Sequence, residues 1–87
     1  MARTAEQVAA DDALTAAVHA TLIAYHGPDP GVLTDYLVVG LRRDWDEDGD
    51  PITANYSIPR DGDVPLSHLL GLVEWASTRF RARIAED

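Results

Sequence analysis

The strongest constraint in this sequence is a stretch of alternating side chains between Thr34 and Ile58. Ile52, Ala54, Tyr56 and Ile58 alternate with Thr53, Asn55 and Ser57, the period of two of a strand with one buried face. Upstream, Leu33, Leu37, Val39 and Leu41 share one parity, and Thr34, Tyr36, Val38, Gly40 and Arg42 share the other. The two runs predict a β-hairpin around an acidic tip. Pairing Arg43 with Ile52 sets Leu41 opposite Ala54, Val39 opposite Tyr56 and Leu37 opposite Ile58. Directly paired residues share a face, so this register gathers the large apolar residues of both strands on one side.

Helical patterns flank the hairpin. Thr4 and Gln7 have capping-box spacing, and Glu6 in the first turn suits the helix dipole. Val8, Leu14, Val18, Leu22 and Tyr25 recur at helical spacing until Gly27 and Pro28 end the run, which predicts a first helix over 5–26. Ala9, Ala13, Ala16 and Ala20 line its other side, a pattern of an exposed surface filled with the best helix former. Gly27-Pro-Asp-Pro-Gly31 is a rigid connection.

A second helix is predicted from Pro65 or Leu66 to Ala85, with Asp63 placed to favour its start. Leu66, Leu69, Leu70, Val73, Phe80 and Ile84 form one narrow stripe, expected to face the core. Arg79, Arg81 and Arg83 gather in the last turns, where positive charge complements the dipole. Trp75 falls almost opposite Val73, with His68, Leu72 and Arg79 beside it. These side chains are either covered by the first helix or exposed for a partner.

The expected fold is α+β, an αββα domain over 1–87 in which both helices pack on one face of an antiparallel hairpin. A lone two-stranded sheet is marginal and has free edges, so a second copy is expected to complete a four-stranded sheet or to pair helix faces. A chain of 87 residues without cysteine has a small core and no disulfide to reinforce it, which strengthens the expectation of a homodimer.

Composition narrows function. The formal charge of −8 argues against general nucleic-acid or anionic-membrane binding. No apolar run is long enough to span a bilayer, and the residues after Met1 lead into a helical pattern without a signal-peptide core, so a cytoplasmic location is expected. All seven basic residues are arginine, which excludes P-loop and Schiff-base lysines. No glycine or serine signature of a nucleotide-binding or hydrolase motif is present.

Two constellations have chemical potential. Asp44-Trp-Asp46-Glu-Asp48-Gly-Asp50 matches the D-x-D-x-D-G opening of a calcium loop, making Asp44, Asp46, Asp48 and Asp50 candidate ligands for Ca2+ or another hard cation. The match then fails: the twelfth position is Asn55, Pro51 interrupts the loop, and the flanks are strands. A solvated tip that keeps the sheet end soluble is the competing reading. Asp12, His19 and His26 lie along one side of the first helix, but imidazoles two turns apart, about 10 Å along the axis, do not share a metal without other ligands.

The segments Asp11-Asp-Ala-Leu-Thr, Val32-Leu-Thr-Asp-Tyr-Leu-Val-Val-Gly and Phe80-Arg-Ala-Arg-Ile-Ala-Glu-Asp carry a resemblance. Through them the chain resembles small accessory proteins encoded by bacteriophages of actinobacteria, whose GC-rich genomes suit a sequence without lysine. The resemblance implies expression in the host cytoplasm and action on a host protein, and it supplies no catalytic motif.

The function expected from these features is a non-enzymatic acidic protein-interaction module, with Tyr36, His68, Leu72, Trp75 and Arg79 at an interface and no cofactor. Cation binding at the tip is the alternative. An acidic decoy imitating DNA phosphates ranks third, because the carboxylates form no regular ladder.

Overall fold

The computed structural model describes residues 2–28 and 31–86. The centre of the proline-glycine connection, Asp29 and Pro30, lies outside the described residues, as do Met1 and Asp87. The elements follow the expected α+β order: α1 (Ala5–His26), β1 (Leu37–Trp45), β2 (Pro51–Pro59), a 3-10 turn over Arg60–Gly62, and α2 (Leu66–Glu86). β1 and β2 form a two-stranded antiparallel sheet.

Local chemistry sets the helix ends where the sequence places them. The Thr4 hydroxyl accepts from the Gln7 backbone N–H at 3.1 Å, and the Gln7 side chain accepts from the Thr4 N–H at 2.8 Å, completing the capping box. At the other end Gly27 takes φ 79° and donates its N–H to the Ile23 carbonyl at 2.8 Å. The Pro65 carbonyl accepts from His68 and Leu69 N–H groups and starts α2.

The hairpin register differs by one residue from the expected one. Leu37 pairs with Pro59, Val39 with Ser57, Leu41 with Asn55 and Arg43 with Thr53, while Val38 pairs with Ile58, Gly40 with Tyr56, Arg42 with Ala54 and Asp44 with Ile52. The apolar residues are therefore divided between the faces: Leu37, Val39, Leu41 and Trp45 of β1 on one, and Ile52, Tyr56 and Ile58 of β2 with Val38 of β1 on the other. The cause is the tip. Gly49 donates to the Asp46 carbonyl and Asp46 donates to the Asp50 carbonyl, both at 3.0 Å, closing a three-residue loop with Gly49 at φ 81°. Such a loop, a turn followed by a left-handed glycine, shifts pairing by one position relative to an even-numbered loop.

Among the described residues the helices approach the hairpin at its base. There Tyr36, 7% exposed, is the one buried apolar residue among those described. Its hydroxyl lies 2.7 Å from that of Thr15 on α1, and its carbonyl accepts from the Arg60 N–H at 3.1 Å. The Arg60 guanidinium donates to the carbonyls of Leu33 and Thr34, tying the segment before β1 to the turn after β2. Arg3 bridges Asp11 at 2.6 Å and Asp61 at 3.6 Å, fastening the start of α1 to the same corner. The hydrogen bond to Asp11, more than any other influence, raises the Arg3 guanidinium pKa above its ordinary value.

Around this polar junction Leu14 and Val18 of α1, Leu37 and Val38 of β1, and Leu69, Leu72 and Ala76 of α2 are half-buried. The expected core stripe of α2 is displaced. Leu66, Leu70, Val73, Phe80 and Ile84 are exposed, and only Leu69 of that set turns inward. α2 instead borders a groove at the base of β1 through Leu72, Val73, Trp75 and Ala76, with Leu69 half-buried, which leaves most of the stripe in solvent. The Ala9, Ala13, Ala16 and Ala20 side of α1 is exposed, as its composition suggests.

The result is an open molecule. Its radius of gyration is 16.4 Å, against about 12 Å for a compact chain of this length. Its accessible surface is 7559 Å², against about 5,000 Å² for a folded monomer of this mass.

Candidate functional site

The chain offers an acidic tip and several apolar surfaces. At the tip, the Asp46 carboxylate accepts from the backbone N–H groups of Asp48 and Asp50, each at 2.9 Å. Asp46 is thus a turn-building residue, its side chain replacing backbone partners the loop lacks. Asp46, Asp48 and Asp50 each bring one ligating oxygen within 4.8 Å of the others, and all three are exposed. Asp44 stands apart from this triplet: it pairs with Ile52 within the ladder, and its carboxylate accepts from the Trp45 N–H at 2.8 Å. The expected four-carboxylate set is therefore three. Three exposed carboxylates suit a hard cation in charge, but one of them already accepts two hydrogen bonds.

His19 and His26 line a shallow groove with Leu22, Ile23, Val32 and Leu33. Among the described residues no cluster with metal-ligand geometry includes either imidazole.

The five residues expected at an interface differ in burial. Tyr36 is buried at the junction, and half-buried Leu72 lines a groove with Tyr36, Leu37, Val39 and exposed Trp75. Tyr36 is therefore not part of a free surface, because its ring and hydroxyl are already satisfied within the chain.

His68, Trp75 and Arg79 remain outside, on one flank of α2. His68 Nδ1 lies 3.0 Å from the Asp35 carboxylate and anchors the helix start. Trp75 is 62% exposed, with the Arg79 guanidinium 5.1 Å from its ring centroid.

A second surface of α2 is larger. Leu66, Leu70, Val73, Phe80 and Ile84 form an exposed apolar stripe along the helix, interrupted by Ser77. The hairpin adds Val39, Leu41 and Trp45 on one face and Ile52, Tyr56 and Ile58 on the other. Sequence periodicity finds these residues, but it carries no signal for whether a stripe meets its own chain or another.

Comparison with protein-family models, with curated proteins and with solved structures finds no match. No helix among the described residues is long and apolar enough to cross a membrane.

Proposed function

We propose that this chain is a non-enzymatic protein-interaction module whose working form is a homodimer. The observation that supports it most is the surplus of surface: about 2,500 Å² beyond that of a compact monomer of equal mass, much of it apolar side chain on α2 and the hairpin. Obligate dimers bury about 2,000 to 5,000 Å² over both partners, and the surplus of two such chains, about 5,000 Å², covers that range. The Trp75–Arg79 flank, two residue types that often anchor contacts, is available for a further protein, and a host protein fits the context the resemblance implies.

Cation binding at the tip is the weaker reading, since Asp46 already shapes the turn.

The test is thermal unfolding at several protein concentrations. A homodimer melts at higher temperature as concentration rises, by mass action on the associated state. Melting independent of concentration would contradict the proposal.

A further inference from the structure

The assembly reading leaves open which surface joins the two copies, and the spacing on α2 answers it. Leu66, Leu70, Val73, Ser77, Phe80 and Ile84 follow one another at intervals of four, three, four, three and four residues. This is the alternation of a coiled-coil seam, apolar every 3.5 residues on average, sustained over nearly three heptads. Only Ser77, at the centre, is polar. Every apolar member of the seam is exposed, from Val73 at 47% to Leu66 at 82%. The helix borders a groove at the base of β1 through Leu72, Val73, Trp75 and Ala76, so Val73 lies at the inner edge of the seam while its other apolar members stand away from the groove.

Resting on the reading of the chain as a homodimer, we propose that two copies pair antiparallel along this seam. Leu66 then meets Ile84 of the second copy, Leu70 meets Phe80 and Val73 meets Ser77.

Charge favours a second copy at this surface and selects the direction. The chain as a whole carries −8, but α2 has three arginines against two glutamates, so two such helices approach without the repulsion that the acidic tips would impose. Arg79 lies with Trp75 on the far side of the helix, which leaves Arg81 and Arg83 nearer the seam. A parallel pair would bring these arginines of both helices to one end and align the helix dipoles, whereas an antiparallel pair moves them toward the start of the other helix and opposes the dipoles. The area agrees: standard interfaces bury about 1,200 to 2,000 Å² in total, within what two such open chains have to spare.

The absence of cysteine makes the test specific. Two variants, Leu70→Cys and Phe80→Cys, are oxidised mildly, each alone and as an equal mixture, with wild-type solution mass and helix content measured alongside. Both sites are exposed, so the fold of each chain is retained. In the antiparallel seam, residue 70 of one copy is about 15 Å along the axis from residue 70 of the other, too far for a disulfide. The expected result is a cross-linked dimer from the mixture and little or none from either variant alone. Cross-linking of each variant by itself would overturn the antiparallel arrangement in favour of a parallel one. A wild-type dimer with no cross-link in any sample would move the contact to the hairpin and leave the assembly reading standing. A wild-type monomer would overturn both.

Discussion

The hydroxyl of Tyr36 and the hydroxyl of Thr15 lie 2.7 Å apart, and this bond joins α1 to the foot of the hairpin at the one buried aromatic ring among the described residues. One of the two oxygens donates and the other accepts, so removing either hydroxyl leaves the other without its partner. Tyr36→Phe and Thr15→Val are each expected to lower stability by about 1 kcal/mol, with the double variant costing less than the sum. Urea unfolding of the four proteins measures the coupling. Full additivity would show that the bond does not contribute.

The tip makes a prediction that separates turn-building from ion-binding. Asp46→Ala removes the acceptor of two backbone N–H groups, whereas Asp48→Ala removes a carboxylate that accepts no described hydrogen bond. Asp46→Ala is expected to destabilise the hairpin by about 1 kcal/mol and Asp48→Ala to change stability little. Calcium at millimolar concentration is expected to leave the melting temperature unchanged in both variants and in the wild type. A calcium-induced rise in the wild type, lost in both variants, would instead favour a cation site.

Gly71 lies inside α2, and a methyl group built on it meets no atom within 4 Å. It also falls outside the proposed seam. Gly71→Ala is therefore expected to stabilise the protein by roughly 0.5 to 1 kcal/mol, the usual helix-interior difference between these residues. Denaturant midpoints measure it, and the dimer mass is expected to be unchanged.

Trp75→Ala tests the other flank of the same helix. Its ring is exposed, with the Arg79 guanidinium beside it and the open groove at the base of β1 next to it, so the variant is expected to keep its helix content and to lose less than about 1 kcal/mol of stability. Trp75 lies nearly opposite the seam, so dimer mass is expected to hold as well. A monomeric Trp75→Ala protein would place the interface on this flank.

Much of the fold was legible in the sequence because it depends on neighbours close in the chain. The Thr4–Gln7 box, the Gly27 stop and the start of α2 at Pro65 are local chemistry, and each lies where the sequence places it. The hairpin was legible, but its register was not. Burying every apolar residue of both strands favoured Arg43 opposite Ile52, while closure by Glu47, Asp48 and Gly49 sets Arg43 opposite Thr53. Turn geometry prevailed over burial, which is physically reasonable for a hairpin whose faces are not covered by its own chain.

The α2 stripe was visible by its spacing and misassigned to the interior. Periodicity identifies a face that wants cover, and only tertiary placement shows that Leu69, Leu72 and Ala76 are the half-buried side chains while most of the stripe is exposed. The triplet at the tip was largely visible too, apart from Asp44, which the strand withdraws into the ladder. Arg60 carried no signal at all. Its role depends on the carbonyls of Leu33 and Thr34, which come near it only once the chain has folded.

In the proposed homodimer one copy of this chain is incomplete by itself. Light scattering across a dilution series weighs the particle without reference to any residue. The expected mass is twice the 9.5 kDa of one chain, persisting on dilution until dissociation sets in. A mass of one chain at every concentration, with native helix content, would contradict it.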